Sequence, residues 1–305
     1  MVRTVVAIAA CILVGAQEWA PAQRRGGEEQ KNPVDGAVMV WVPGTAEGCP
    51  GGKFRMGSTP EEINQIWTAQ KYGDDLKPLV GPEQPAHEVE LDGFWVYKLE
   101  VTIAQYSAFL AATGHAPPEG WEQAKKSPKL PVSYVAWTDA EAYAQWAKGA
   151  LPTEAQWEYA ARGPESRIFP WGNAWEKGRR CQAIESYVSG AVKKAFQNPF
   201  GNAQAMAEHY LRAAGAFPGG ASWCGAMDMA GNVDEWCKDW YSVTFYTLPA
   251  STQKNPECTD ASPNVRCRRG GNWSSNALFC RGAQRLGSDP TKGDKTTGFR
   301  LVVAP

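Results

Sequence analysis

The stretch from Leu151 to Gly163 reads Leu-Pro-Thr-Glu-Ala-Gln-Trp-Glu-Tyr-Ala-Ala-Arg-Gly, and its reading decides the fold. Thr153 with Gln156 three residues on has the form of a capping box, in which each side chain accepts a hydrogen bond from the other residue's backbone N–H. A glycine at 163 stops the helix. The spacing predicts a helix to Arg162. The same punctuation recurs upstream. Thr138 with Glu141 precedes a helix whose inward face would be Ala142, Tyr143 and Trp146, ending at Gly149. Thr102 with Gln105 precedes another, with Ile103, Tyr106, Phe109 and Leu110 on one face and Gly114 as its stop. Further out, Val38–Val42, residues 53–58, 87–91, 93–99 and 298–303 read as strands. Residues 59–86 read as a loop with a single helical turn. Beyond Arg162 regular signals thin into Gly, Pro, Asn and aromatic segments. Fourteen Trp against 10 Phe and 10 Tyr suggest large rings covering irregular backbone. The expectation is one α+β domain with little regular structure.

The ends read differently from the body. Arg3, the apolar run Val5–Val14 and the small-residue site Ala20-Pro21-Ala22 form the three-part pattern of an export signal. It is expected to occupy residues 1–22 and to be cleaved after Ala22, or else kept as an anchor. The apolar run is too short to span a bilayer. Residues 23–35 are polar and read as a linker, leaving 36–305 as the folded domain. An exported chain meets oxidising conditions, where disulfides are expected. Seven cysteines follow the signal: Cys49, Cys181, Cys224, Cys237, Cys258, Cys267 and Cys280. An odd number leaves at least one unpaired. Cys258 and Cys267, flanking a short loop, are the expected pair. A net charge of -1 argues against nucleic acid as a partner. His87, His115 and His209 lack paired metal spacing and are expected to be structural or exposed.

Several blocks then occur in a recognisable order. They are Phe54-Arg-Met-Gly-Ser58, Glu100-Val-Thr102, Pro131-Val-Ser-x-Val-x-Trp137, the 151–163 block, Pro170-Trp-Gly-Asn173, Gly231-Asn-Val-x-Glu-Trp236, Arg269-Gly-Gly-x-Trp273 and Gly298-Phe-Arg300. From about residue 38 to 303 the chain resembles the formylglycine-generating enzyme, or sulfatase-modifying factor, family. The resemblance implies a C-type lectin-like variant fold. It also implies oxidation of a sulfatase cysteine to formylglycine by oxygen and copper(I) held between two thiolates, which suit that soft ion.

The resemblance places the thiol pair just after the Gly-Gly-aromatic turn. Counted without gaps, Ser275 stands at the first thiol position and Cys280 at the second; a serine hydroxyl is a poor ligand for copper(I). If Arg281 and Arg285 anchor the comparison, Cys280 matches neither position, and a disulfide or packing role stands beside a reactive one. The resemblance further implies calcium held by the carbonyls of Ala230, Gly231 and Val233 with the Glu235 carboxylate. The implied partner is an exported sulfatase or another protein or peptide. A binding module without chemistry remains the alternative.

Overall fold

The computed structural model describes residues 26–176, 178, 180–183 and 210–305. The signal segment and His209 lie outside the described residues. Strands β1 (Glu29–Lys31), β2 (Val38–Val42), β3 (Phe54–Met56), β4 (His87–Val89), β5 (Phe94–Tyr97), β6 (Asp234–Trp240), β7 (Arg266–Arg269), β8 (Leu286–Ser288), β9 (Thr297–Gly298) and β10 (Val302–Val303) are short. They form a sheet ordered β1-β2-β5-β10, a β3–β4 pair, and a sheet ordered β8-β7-β6-β9 in which β9 runs parallel to β6. Part of the stretch read as a linker is therefore an edge strand, Glu29 pairing with Val40 and Lys31 with Val38. The single closing strand read at 298–303 divides in two. Thr297–Gly298 joins one sheet and Val302–Val303 the other, so residues 299–301 bridge them.

The longer helices are α1 (Pro60–Gln70), α2 (Ile103–Thr113), α3 (Trp137–Trp146) and α4 (Glu154–Arg162). The boxes at Thr102 and Thr153 form as read: Gln105 Oε1 accepts the Thr102 N–H at 2.9 Å, and Gln156 Oε1 that of Thr153 at 3.0 Å. The box read at Thr138 does not form. Helix α3 starts earlier, with Asp139 accepting the Ala136 N–H at 3.0 Å. Its buried face is accordingly Ala140, Tyr143 and Ala144. The loop read at 59–86 contains α1, with Pro60 in its first turn and a Thr59–Glu62 box; Pro at that position is pre-organised for a helix start.

The tryptophans account for the irregular backbone. Indole N–H groups donate to main-chain carbonyls: Trp137 to Cys237 at 2.8 Å, Trp223 to Tyr159 at 2.7 Å and Trp236 to Val135 at 2.9 Å. Each ring packs against its neighbours and gives a main-chain oxygen a donor. Among the described residues, no helix is long and apolar enough to cross a membrane.

Candidate functional site

Helix α4 carries the densest charge in the interior. Glu154 takes Arg285 through two bonds of 2.7 Å and Arg269 at 3.1 Å. Glu158 takes Arg162 at 2.6 Å, Arg269, and the Gly57 N–H at 2.7 Å. Arg281 grips Glu83 with two bonds of 2.6 Å. Burial alone would raise the Glu154 and Glu158 carboxyls, but the arginines outweigh it and hold both below the usual range. The charges of the 151–163 block and of the segment from Arg269 to Arg285 thus form an internal ion lattice. Their role is structural.

Glu235 belongs to the same kind of arrangement. It is fully buried; Arg300 meets its two oxygens at 2.6 and 2.7 Å, and Trp157 donates to one of them at 2.8 Å. A guanidinium therefore neutralises the carboxylate that the resemblance gives to calcium. The expected set of Ala230, Gly231, Val233 and Glu235 does not fit that ion here, because its only charged ligand is committed elsewhere. The neighbouring main chain is also in use: the Gly231 N–H donates to Gly270 O at 3.0 Å, and Asn232 O accepts from Trp273 at 2.9 Å.

Three segments meet behind the Gly270-Gly271 turn. The turn is held by Ser275, whose Oγ accepts the Asn272 N–H at 3.0 Å, and by Asn272, which donates to Asp234 at 2.7 Å. Tyr210 stacks on Trp273 with centroids 5.0 Å apart and planes 6° apart. The second segment is Ala230-Gly231-Asn232, and the third is Arg180-Cys181-Gln182. The Asn232 N–H donates to Gln182 O at 2.8 Å. Where they converge, Cys181, Ala230 and Cys280 form one buried cluster, backed by Trp171, Trp175 and Ala183. Cys280 is fully buried and its thiol lies in hydrogen-bonding reach of Cys181. That contact, with burial next, pushes the Cys280 thiol well above its ordinary range. So Ser275 serves the turn, and the thiol in contact with Cys280 is that of Cys181. A separation of nearly a hundred residues gives no local motif to find it by.

The other cysteines are separate. The expected Cys258–Cys267 bond is not formed, and all seven described cysteines carry free thiols. Cys267 is turned inward instead, its thiol engaging Glu154. His87 meets Pro85 O at 3.1 Å and His115 meets Asp139 at 2.9 Å.

Two buried acids beside these segments set a pH dependence. Burial raises Asp234 to about 6 and, with the Glu154 charge, raises Asp239 also, both from 3.8. The folded state then binds more protons than the unfolded chain between about pH 4 and 6 or above, so stability falls as pH rises through that window. The lowered Glu154 and Glu158 act oppositely, withdrawing stability as pH falls below the ordinary glutamate range. The unfolding free energy from urea titration should therefore be higher at pH 5 than at pH 8, by at least about 1 kcal/mol. Equal values would show that these acids are ionised throughout.

The α+β body carries an internal arginine–glutamate lattice and the Gly270-Gly271-Asn272-Trp273 turn among the ordered blocks that resemble a sulfatase-modifying-factor-type domain. The family model for the sulfatase-modifying factor enzyme 1-like domain matches residues 27–305. The chain belongs to that family, the formylglycine-generating enzyme family. It is 29% identical over 300 residues to a formylglycine-generating enzyme of Streptomyces coelicolor, covering 83% of this chain and 87% of the relative. Among solved structures it resembles PvdO from Pseudomonas aeruginosa (TM-score 0.65, 22% identity, 92% of this chain and 100% of that one). It also resembles Treponema denticola variable protein 1 (TM-score 0.61, 19% identity, 91% and 99%). These last two likenesses concern the fold.

Proposed function

We propose that the protein is exported and oxidises a cysteine of a sulfatase-type protein or peptide to formylglycine, on a C-type lectin-like variant of the fold. The observation that supports this reading is Cys280, just beyond the Gly-Gly-Asn-Trp turn, facing a second thiol across a buried contact. Copper(I), when bound, supplies the electron transfer to dioxygen. The reaction balances if the substrate CH2–SH, one O2 and two thiols of a reductant give the aldehyde, hydrogen sulfide, water and one disulfide. The chain's own contribution is to hold Cys280 in a dry pocket, where Ala230 and the Trp171 and Trp175 rings exclude competing oxygen ligands. The test uses the mature chain with copper(I), air, a small thiol and a cysteine-bearing sulfatase peptide, read by an aldehyde-selective probe. Product should form and be lost in Cys280→Ser. Copper-loaded protein that makes no aldehyde rejects the reading.

A second reading, a binding module without oxidation, is favoured by the complete burial of Cys280. It predicts unchanged partner binding in Cys280→Ser.

A further inference from the structure

We infer that Cys181, and not Ser275, is the partner thiol of Cys280, and that the two form a cross-loop site for one copper(I) ion. The inference takes its metal from the reading above. Its ligand pair stands on the packing of this chain.

Cys181 is held from both sides. Its preceding carbonyl, Arg180 O, occupies the space where any side chain at Gly220 would sit. Its following carbonyl, Gln182 O, occupies the same space at Gly231, where φ is +77°. Arg180 is further tied to Gly219 O at 2.5 Å and to Glu176 at 2.8 Å. The backbone on either side of Cys181 is thus fixed at two points, by Gly220 and by Gly231 with Asn232, and the Arg180 side chain adds a third tie. Such support narrows the geometry a ligand can adopt before metal arrives.

The donor set selects the ion. Among the described residues, no group of three or more His, Cys, Asp or Glu is placed to hold a metal. Two sulfurs alone leave a tetrahedral zinc centre short of ligands. They suit a soft monovalent ion that is content with two thiolates. Ser275 cannot compete, because its oxygen is used within the turn. The two thiols lie in an apolar pocket. Binding is then two thiols plus Cu(I) giving a bis-thiolate complex of charge −1 and two protons. Affinity must rise with pH, because each proton released is displaced by the metal.

The experiment is a competition titration of the full mature chain with a chromophoric copper(I) chelator, across pH 6 to 8. One ion per chain is expected, with apparent affinity rising as pH rises. Cys181→Ser and Cys280→Ser should each weaken binding by about 100-fold or more, and Ser275→Ala by less than about threefold. Copper X-ray absorption on the wild-type protein should show two sulfur ligands and no oxygen or nitrogen, a readout that does not depend on a variant folding. The inference is overturned if Cys181→Ser binds like wild type, or if Ser275→Ala weakens binding as much as Cys181→Ser. A disulfide between Cys181 and Cys280 in the isolated protein also overturns it. Failure of the oxidase reading looks different: wild-type protein binds copper through both sulfurs yet yields no aldehyde. Aldehyde formation that survives Cys181→Ser instead sinks the ligand pair alone.

Discussion

Arg269→Ala should cost about 3–5 kcal/mol of folding stability, the range for removing one partner from a buried ion pair. Arg269 is fully buried and bridges Glu154 to Glu158. Its loss leaves Glu154 with Arg285 and Glu158 with Arg162, each short of one positive group. The Gly282 carbonyl, which accepts from Arg269 at 2.9 Å, loses that bond too. The cost approaches the whole stability of a marginal domain. The comparison is Arg55→Ala, whose 2.5 Å pair with Glu62 sits at a side chain 41% exposed. That pair is worth no more than about 1 kcal/mol. Urea midpoints of the two variants measure the difference. A loss below about 1 kcal/mol for Arg269→Ala would mean that the lattice relaxes around the gap.

Gly231→Ala is the second large effect. Two costs add there. The left-handed backbone penalises a Cβ by about 1–2 kcal/mol. The Cβ would also press on the Gln182 carbonyl, a main-chain atom that cannot swing away, and overpacking of that kind costs about 1–3 kcal/mol. The control is Gly51→Ala, where φ is +76° and a Cβ meets nothing within 4 Å. Gly51→Ala should show the first cost alone, so Gly231→Ala should be the more damaging of the two by the second. Equal midpoints would place the 181–182 segment elsewhere. The same variant should weaken copper binding, because it moves Cys181 off its line toward Cys280.

Much of the fold is legible in the sequence because its helices are punctuated locally. Thr102 with Gln105, and Thr153 with Gln156, announce their own starts. Thr59-Pro60-Glu61-Glu62 carries the same signal, but its setting hides it, because the surrounding residues 59–86 read as polar loop. The start of α3 is harder to read: Thr138 with Glu141 fits the box pattern, and only the folded chain shows Asp139, two residues before Glu141, turned back to Ala136 instead. The candidate site is less legible. Ser275 could be recognised as a break in a thiol pair, but not as the oxygen that holds its own turn. Glu235 carries a buried charge that needs a partner, and sequence cannot choose between a cation and Arg300, 65 residues away. Cys181 has no local pattern at all, since its neighbour is defined only when distant loops pack.

The ion lattice also bears on the order in which the chain can fold. Its acids come from Glu83, Glu154 and Glu158, whereas Arg269, Arg281 and Arg285 come from the last part of the sequence. Arg300 closes on Glu235 later still. A chain emerging from the N-terminus therefore has Arg162 beside Glu158 but carries Glu83 and Glu154 without their counter-charges until nearly all of it has been made, and contacts between such distant residues form slowly. Synthesis arrested before Arg269 should yield a protease-sensitive fragment, in which α4 has nothing to neutralise Glu154.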